Sequence, residues 1–148
     1  MKKLFVLFAL ISFLFISNLS LAQTTQVVGK IYSKAEANTL YGPVVKSIEL
    51  NITLLKNIAL KTPQYIMFAI KNNQLIILDN KRNVLYPQGA VISSTDVFHV
   101  FSTSLFLQLL SDGISQTASF EERNNVFSVT AGASTMDYSY ICPPYCNW

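Results

Sequence analysis

The sequence predicts an α+β domain, mainly antiparallel sheet with one long and two short helices packed on it. Three observations carry that prediction. β-rich runs bounded by tight polar turns fill the middle and the last third of the chain. Helix-start signals stand at Ser33-Lys34-Ala35-Glu36, at Thr53 and at Ser94-Thr95-Asp96. Strands and helices do not alternate in the βαβ rhythm of a parallel sheet.

The elements follow in order. Val27 to Tyr32 reads as a strand. Ser33 and Glu36 then match a capping box, in which each side chain takes a free N–H of the first helical turn, and a short helix runs on to Tyr41. Gly42 supplies a left-handed stop and Pro43 cannot continue the helix. Val44 to Leu50 is expected as a strand. Thr53 caps a second short helix, Leu54 to Lys61, with Leu54, Leu55, Ile58 and Ala59 on one face and Thr62-Pro63 at its end. Tyr65 to Ile70 and Leu75 to Leu78 are joined by the polar loop Lys71 to Gln74. Both runs are nearly all apolar, which fits central strands covered on both faces.

Asp79 to Asn83 is a tight turn into Val84-Leu85-Tyr86, which Pro87 ends. The long helix is placed after Asp96, whose carboxylate suits a helix N-terminus, because Val97, Phe98, Val100, Phe101, Leu105, Leu109 and Leu110 form a broad apolar stripe before Gly113. Thr117 to Glu122, Val126 to Thr130 and Thr135 to Ile141 read as an antiparallel meander with one packed and one wet face.

The beginning of the chain has a different character. Lys2 and Lys3 precede the apolar stretches Leu4 to Ile11 and Phe13 to Ile16, which give way to Ser20-Leu21-Ala22. That is the pattern of a secretory signal peptide, and its apolar block of about a dozen residues is short of the roughly 20 a membrane span needs. Residues 1–22 are therefore expected to be cut off between Ala22 and Gln23, leaving 23–148 as a single exported domain with a short Cys-Pro-Pro-Tyr-Cys tail. The product is expected to be bacterial, secreted or periplasmic, with no stable membrane anchor after cleavage and no cysteine at the cleavage site to carry a lipid. At 126 residues, it is long enough for a real core.

Two of the 11 basic residues lie in the leader, so 9 remain against 8 acidic ones and the net charge falls to +1. The remaining Lys and Arg are scattered, which argues against nucleic acid as a partner. A surface with so little charge repels its neighbours weakly, so association is expected.

Few residues offer chemistry. Cys142 and Cys146 are the only cysteines, and in an exported chain they are expected to form a disulfide that shapes the tail, with pairing between chains as the alternative. A thiol-exchange site would favour a tighter spacing at a helix start, which Pro143-Pro144 forbids. Zinc wants about four ligands, so no metal site is read from two cysteines and one histidine. His99 is expected to be an ordinary helix-face residue with no nucleophile or orienting partner in its motif. Glu121 and Glu122 are adjacent and point to opposite faces of a strand, which is wrong for a shared acid-base pair. Asn51-Ile52-Thr53 matches a glycosylation sequon but reads as a helix start.

The aromatic set near the C-terminus is the best binding candidate. Met136, Tyr138 and Tyr140 are expected on one strand face, with Tyr145 and Trp148 on the tail. With no catalytic residue, cofactor motif or metal ligand set legible, the sequence points to a noncatalytic binding or self-assembling module of the cell envelope or extracellular space. Tyr138, Tyr140, Tyr145 and Trp148 would then grip another envelope protein, a polysaccharide or copies of the chain. The alternative is a small secreted hydrolase acting on cell-wall or sugar substrates, with carboxylates such as Asp79 and Glu121 or Glu122 gathered from distant segments.

Overall fold

The computed structural model describes residues 26–111, 114–124 and 126–143. The leader at 1–22 with its cleavage site, and Tyr145, Cys146 and Trp148 of the tail, lie outside the described residues. In chain order the elements are β1 (Lys30–Ser33), α1 (Lys34–Tyr41), β2 (Lys46–Asn51), α2 (Ile52–Ala59), β3 (Tyr65–Lys71), β4 (Gln74–Asp79), β5 (Val84–Tyr86), β6 (Phe98–Ser102), α3 (Thr103–Ser111), β7 (Thr117–Arg123), β8 (Val126–Ala131), β9 (Ser134–Asp137) and β10 (Tyr140–Cys142). Every strand pairing is antiparallel. Sheet I runs β1-β9-β8-β7-β2 and sheet II runs β10-β6-β3-β4-β5.

The sheets share one core. Phe68 of β3 lies within 6.5 Å, centroid to centroid, of Phe101, Phe106, Phe120 and Phe127, which come from β6, α3, β7 and β8. Ile52, Leu55, Ile58 and Ala59 of α2, with Leu109 and Leu110 of α3, add to the same cluster. Sheet II is apolar on its other face too. There Tyr65, Met67, Ile76, Leu78, Phe98 and Val100 form a second cluster with Val28 and Cys142. That two-sided burial is what the apolar runs in β3 and β4 foretold.

Several expectations need correction. The long helix does not exist, and among the described residues the three helices have 8, 8 and 9 residues. Its first half is β6, which lies between β3 and β10. Phe98-His99-Val100-Phe101-Ser102 suits either periodicity, but burial on alternate faces needs a strand, with Phe98 and Val100 in one cluster and Phe101 in the other. The β3–β4 loop is only Asn72-Asn73, both with positive φ, the pattern of a two-residue hairpin turn. α2 is capped by Asn51 rather than Thr53: the Asn51 side-chain Oδ1 accepts from the N–H groups of Thr53 and Leu54, which accounts for the sequon. Thr135 to Ile141 is not one strand either, because β9 ends at Asp137 and β10 belongs to the other sheet. α1 matches its prediction, with both halves of the Ser33–Glu36 capping box made.

A close approach ties the first strand down. Ser102 donates its N–H to the Val28 carbonyl, and its hydroxyl accepts from the Val28 N–H. Gly29, at φ 109°, follows directly, and a Cβ there would stand 2.9 Å from Leu105 Cδ2 and 3.0 Å from Phe101 Cδ1. Only glycine satisfies both the backbone and the space.

A candidate ligand cleft at the sheet crossover

β9 leaves sheet I at Asp137 and β10 enters sheet II at Tyr140, so two residues, Tyr138 and Ser139, carry the chain between sheets. They form one wall of a cleft of about 190 Å3 whose other lining includes Tyr41, His99, Phe127 and Asp137. A neighbouring hollow shares His99 and Phe127 and reaches Glu122 and Arg123.

β6 supplies the histidine. Its backbone stands in register between Phe68 and Ile141, and its ring stacks on Phe127 with centroids 4.7 Å apart and planes 11° from parallel. Nδ1 lies 2.9 Å from the Ser139 hydroxyl, while Nε2 has no hydrogen-bond partner among the described residues. Burial lowers the imidazole pKa from 6.5 to about 4. The ring is therefore neutral at physiological pH, with one donor and one acceptor nitrogen.

Asp137 is buried at the end of β9, where its carboxylate accepts the N–H of Tyr138 and the hydroxyl of Ser128, the latter at 3.3 Å. Burial raises its pKa above the ordinary carboxylate value, opposed by those two hydrogen bonds and by nearby Arg123. Tyr138 has φ 70°, a left-handed backbone that disfavours a side chain by roughly 1–2 kcal/mol, yet the residue is 66% exposed. Strain of this kind concentrates where a site must hold a group in place.

α1 brings Tyr41 to the cleft, and Arg123 holds that end of α1 in place. The guanidinium donates through Nη1 to Asn38 Oδ1 at 2.7 Å and to the Gly42 carbonyl at 2.8 Å, while Nε and Nη2 bind Glu121 Oε2 at 3.2 and 2.7 Å. The Tyr41 hydroxyl donates to that of Tyr32 at 3.1 Å with the rings edge to face. Burial first, then that hydrogen bond and the proximity of Asp137, raise the Tyr41 pKa, so the phenol stays protonated.

No family model, curated protein or solved structure matches this chain.

Of the two expected binding residues that are described, Tyr138 and Tyr140, the structure brings Tyr138 to the cleft. Tyr140 packs beside the second cluster, on the outer side of sheet II, and its hydroxyl accepts from Gln26 Nε2 at 2.7 Å. Met136 is buried between the sheets. The shared face expected for Met136, Tyr138 and Tyr140 does not exist, because the chain changes sheets between them. Cys142 is buried and its Sγ accepts from Arg82 Nη1 at 3.3 Å; its expected partner Cys146 is outside the described residues.

Of the carboxylates proposed for a hydrolase, Glu122 lines the hollow beside His99, while Asp79 and Glu121 are committed elsewhere. Asp79 Oδ1 accepts from Lys81 and Asn83 N–H groups within its own turn, and Glu121 is paired with Arg123. Among the described residues, no three His, Cys, Asp or Glu side chains gather to hold a metal. His99, Ser139, Asp137 and Tyr41 were missed by sequence reasoning. The one available signal was the polar triplet Asp137-Tyr138-Ser139, which interrupts an otherwise strand-like run.

Proposed function

We propose that this chain is an exported, noncatalytic binding module of the cell envelope or extracellular space, and that the crossover cleft takes one uncharged, hydroxyl-bearing ring, such as a sugar unit of a polysaccharide. The observation that carries this reading is the neutral His99, one nitrogen fixed on Ser139 and the other without a partner, in a cleft beside the exposed ring of Tyr138. Neutral donors and acceptors match sugar hydroxyls, and an aromatic face matches the apolar side of a pyranose. Benzene fits an engineered cavity of about 150 Å3, and this cleft, at about 190 Å3, has room for one six-membered ring.

Retention of the mature protein on neutral cell-wall or storage polysaccharides, measured by affinity electrophoresis, tests the proposal. Tyr138→Ala is expected to weaken retention at least about tenfold, the effect of losing one well-placed aromatic contact of roughly 1.4 kcal/mol or more. Failure of every neutral polysaccharide to retard the wild type, or equal retardation of the variant, rejects the reading.

One observation favours the small secreted hydrolase: Ser139 and His99 are placed as a nucleophile and its base. The pair has no third group orienting the imidazole, since Nε2 makes no hydrogen bond among the described residues. Covalent labelling of Ser139 by a fluorophosphonate would decide for the hydrolase.

A further inference from the structure

We propose that two copies of this chain pair through β2, edge to edge and antiparallel about a two-fold axis at Ile48, to make a continuous ten-stranded sheet. The two sheets present four edge strands, and three carry the protections that edges need. β5 and β10 have only three residues each and run into Pro87 and Pro143, while β1 has four residues and begins at Lys30. β2 has six residues, no proline and no partner on its outer side among the described residues.

The geometry of that edge is self-complementary. Ile52 donates its N–H to the Gln116 carbonyl, continuing the β2–β7 register of Asn51 opposite Thr117. In an antiparallel ladder the bonded positions alternate, so even-numbered residues of β2 serve β7, while Ser47 and Glu49 turn their N–H and C=O groups outward. A second copy related by a two-fold axis at Ile48 sets Ser47 opposite Glu49 of its mate, and Glu49 opposite Ser47. Those two pairs exchange four backbone hydrogen bonds, and Ile48 meets Ile48 at the close-spaced, non-bonded position that suits β-branched pairs.

Neighbouring registers are worse. Shifting one way puts Glu49 directly opposite Glu49, and shifting the other way leaves Glu49, Leu50 and Asn51 beyond the end of the partner strand. The near-neutral net charge of residues 23–148 removes the repulsion that would keep copies apart, and Val45, 73% exposed, flanks the seam. The pairing leaves the crossover cleft unused, so it does not depend on the sugar-binding proposal.

Sedimentation equilibrium on the mature chain tests it with two variants. Ser47→Pro deletes an outward N–H without touching a β2–β7 bond, so it is expected to yield a monomer whose melting temperature stays close to wild type. Ser47→Lys places a cation opposite Glu49 twice per dimer, and is expected to tighten association by about two- to thirtyfold. A wild type that stays monomeric at millimolar concentration, a dimer that survives Ser47→Pro, or a dimer weakened by Ser47→Lys overturns the proposal.

Discussion

The two sheets use burial in opposite ways. Sheet II is apolar on both faces, so its strands carry little beyond Val, Ile, Leu, Met and aromatic residues, and its stability comes from area removed from water. Sheet I is apolar only toward the shared core. On its other face Glu121, Arg123, Ser128, Thr130, Thr135 and Asp137 are buried as polar groups. They satisfy one another or α1 through Glu121–Arg123, Ser128–Asp137 and the 2.9 Å contact between the Thr130 and Thr135 hydroxyls. Apolar packing tolerates repacking, whereas a buried polar layer works only when each member has its partner. The cleft lies where the chain passes from the second kind of sheet to the first.

The sharpest contrast comes from one large truncation on each side. Phe68→Ala empties the centre of the aromatic cluster and is expected to cost about 3–5 kcal/mol, with no single second substitution restoring it. Arg123→Met leaves Glu121 buried without its cation, at a similar cost of about 3–5 kcal/mol, but Arg123→Met with Glu121→Leu is expected to regain most of it, because an apolar pair of similar volume replaces buried charges at little net cost. Urea melts of the three proteins measure this. A double variant as unstable as Arg123→Met would mean that the guanidinium matters for its hold on Asn38 and Gly42 rather than for Glu121.

Acid separates the two regions further. Among the described residues, the apolar clusters of sheet II hold no carboxylate, amine or imidazole, but His99 at its cleft end titrates near 4 when folded and near 6.5 when unfolded. The unfolded state therefore binds the proton first. The stabilisation is complete above about pH 6.5 and is lost as pH falls toward 4, by at most on the order of 3 kcal/mol. Asp137, its pKa raised by burial, acts in the opposite sense, since the folded state keeps its proton as pH rises past the unfolded value. His99→Gln should flatten the acid limb of a stability-versus-pH curve between about pH 4 and 6.5; an unchanged limb would place the titration elsewhere.

The smallest effect is expected at the crossover itself. Tyr138→Gly relieves the left-handed backbone but frees the unfolded chain, so a net stabilisation of no more than about 1 kcal/mol is expected by calorimetry. A loss above about 1 kcal/mol would show that the exposed ring contributes packing.

Sheet II's central hairpin was readable because apolar runs as unbroken as Tyr65 to Ile70 and Leu75 to Leu78 leave little choice. α1 was readable because its capping box is local. The stretch Val97 to Phe101 was not, since five residues rich in Val and Phe satisfy both periods and only the neighbours β3 and β10 decide between them. The cleft was least legible of all. Tyr41, His99 and Ser139 meet only because β9 and β10 belong to different sheets, and pairing across such distances leaves no trace in spacing. The buried Glu121–Arg123 pair was hidden for a different reason: at i and i+2 it reads as solvated strand polarity unless α1 is known to cover it.

The strand order also sets a timetable. Among the described residues β1 pairs only with β9, and β2 only with β7, so neither of these two strands has its template until the last third of the chain has been made. Such separations give a high contact order and slow closure. A polypeptide that emerges N-terminus first from a ribosome keeps its opening strand unzipped until Asp137 is out, while the local β3–β4–β5 hairpins can close long before.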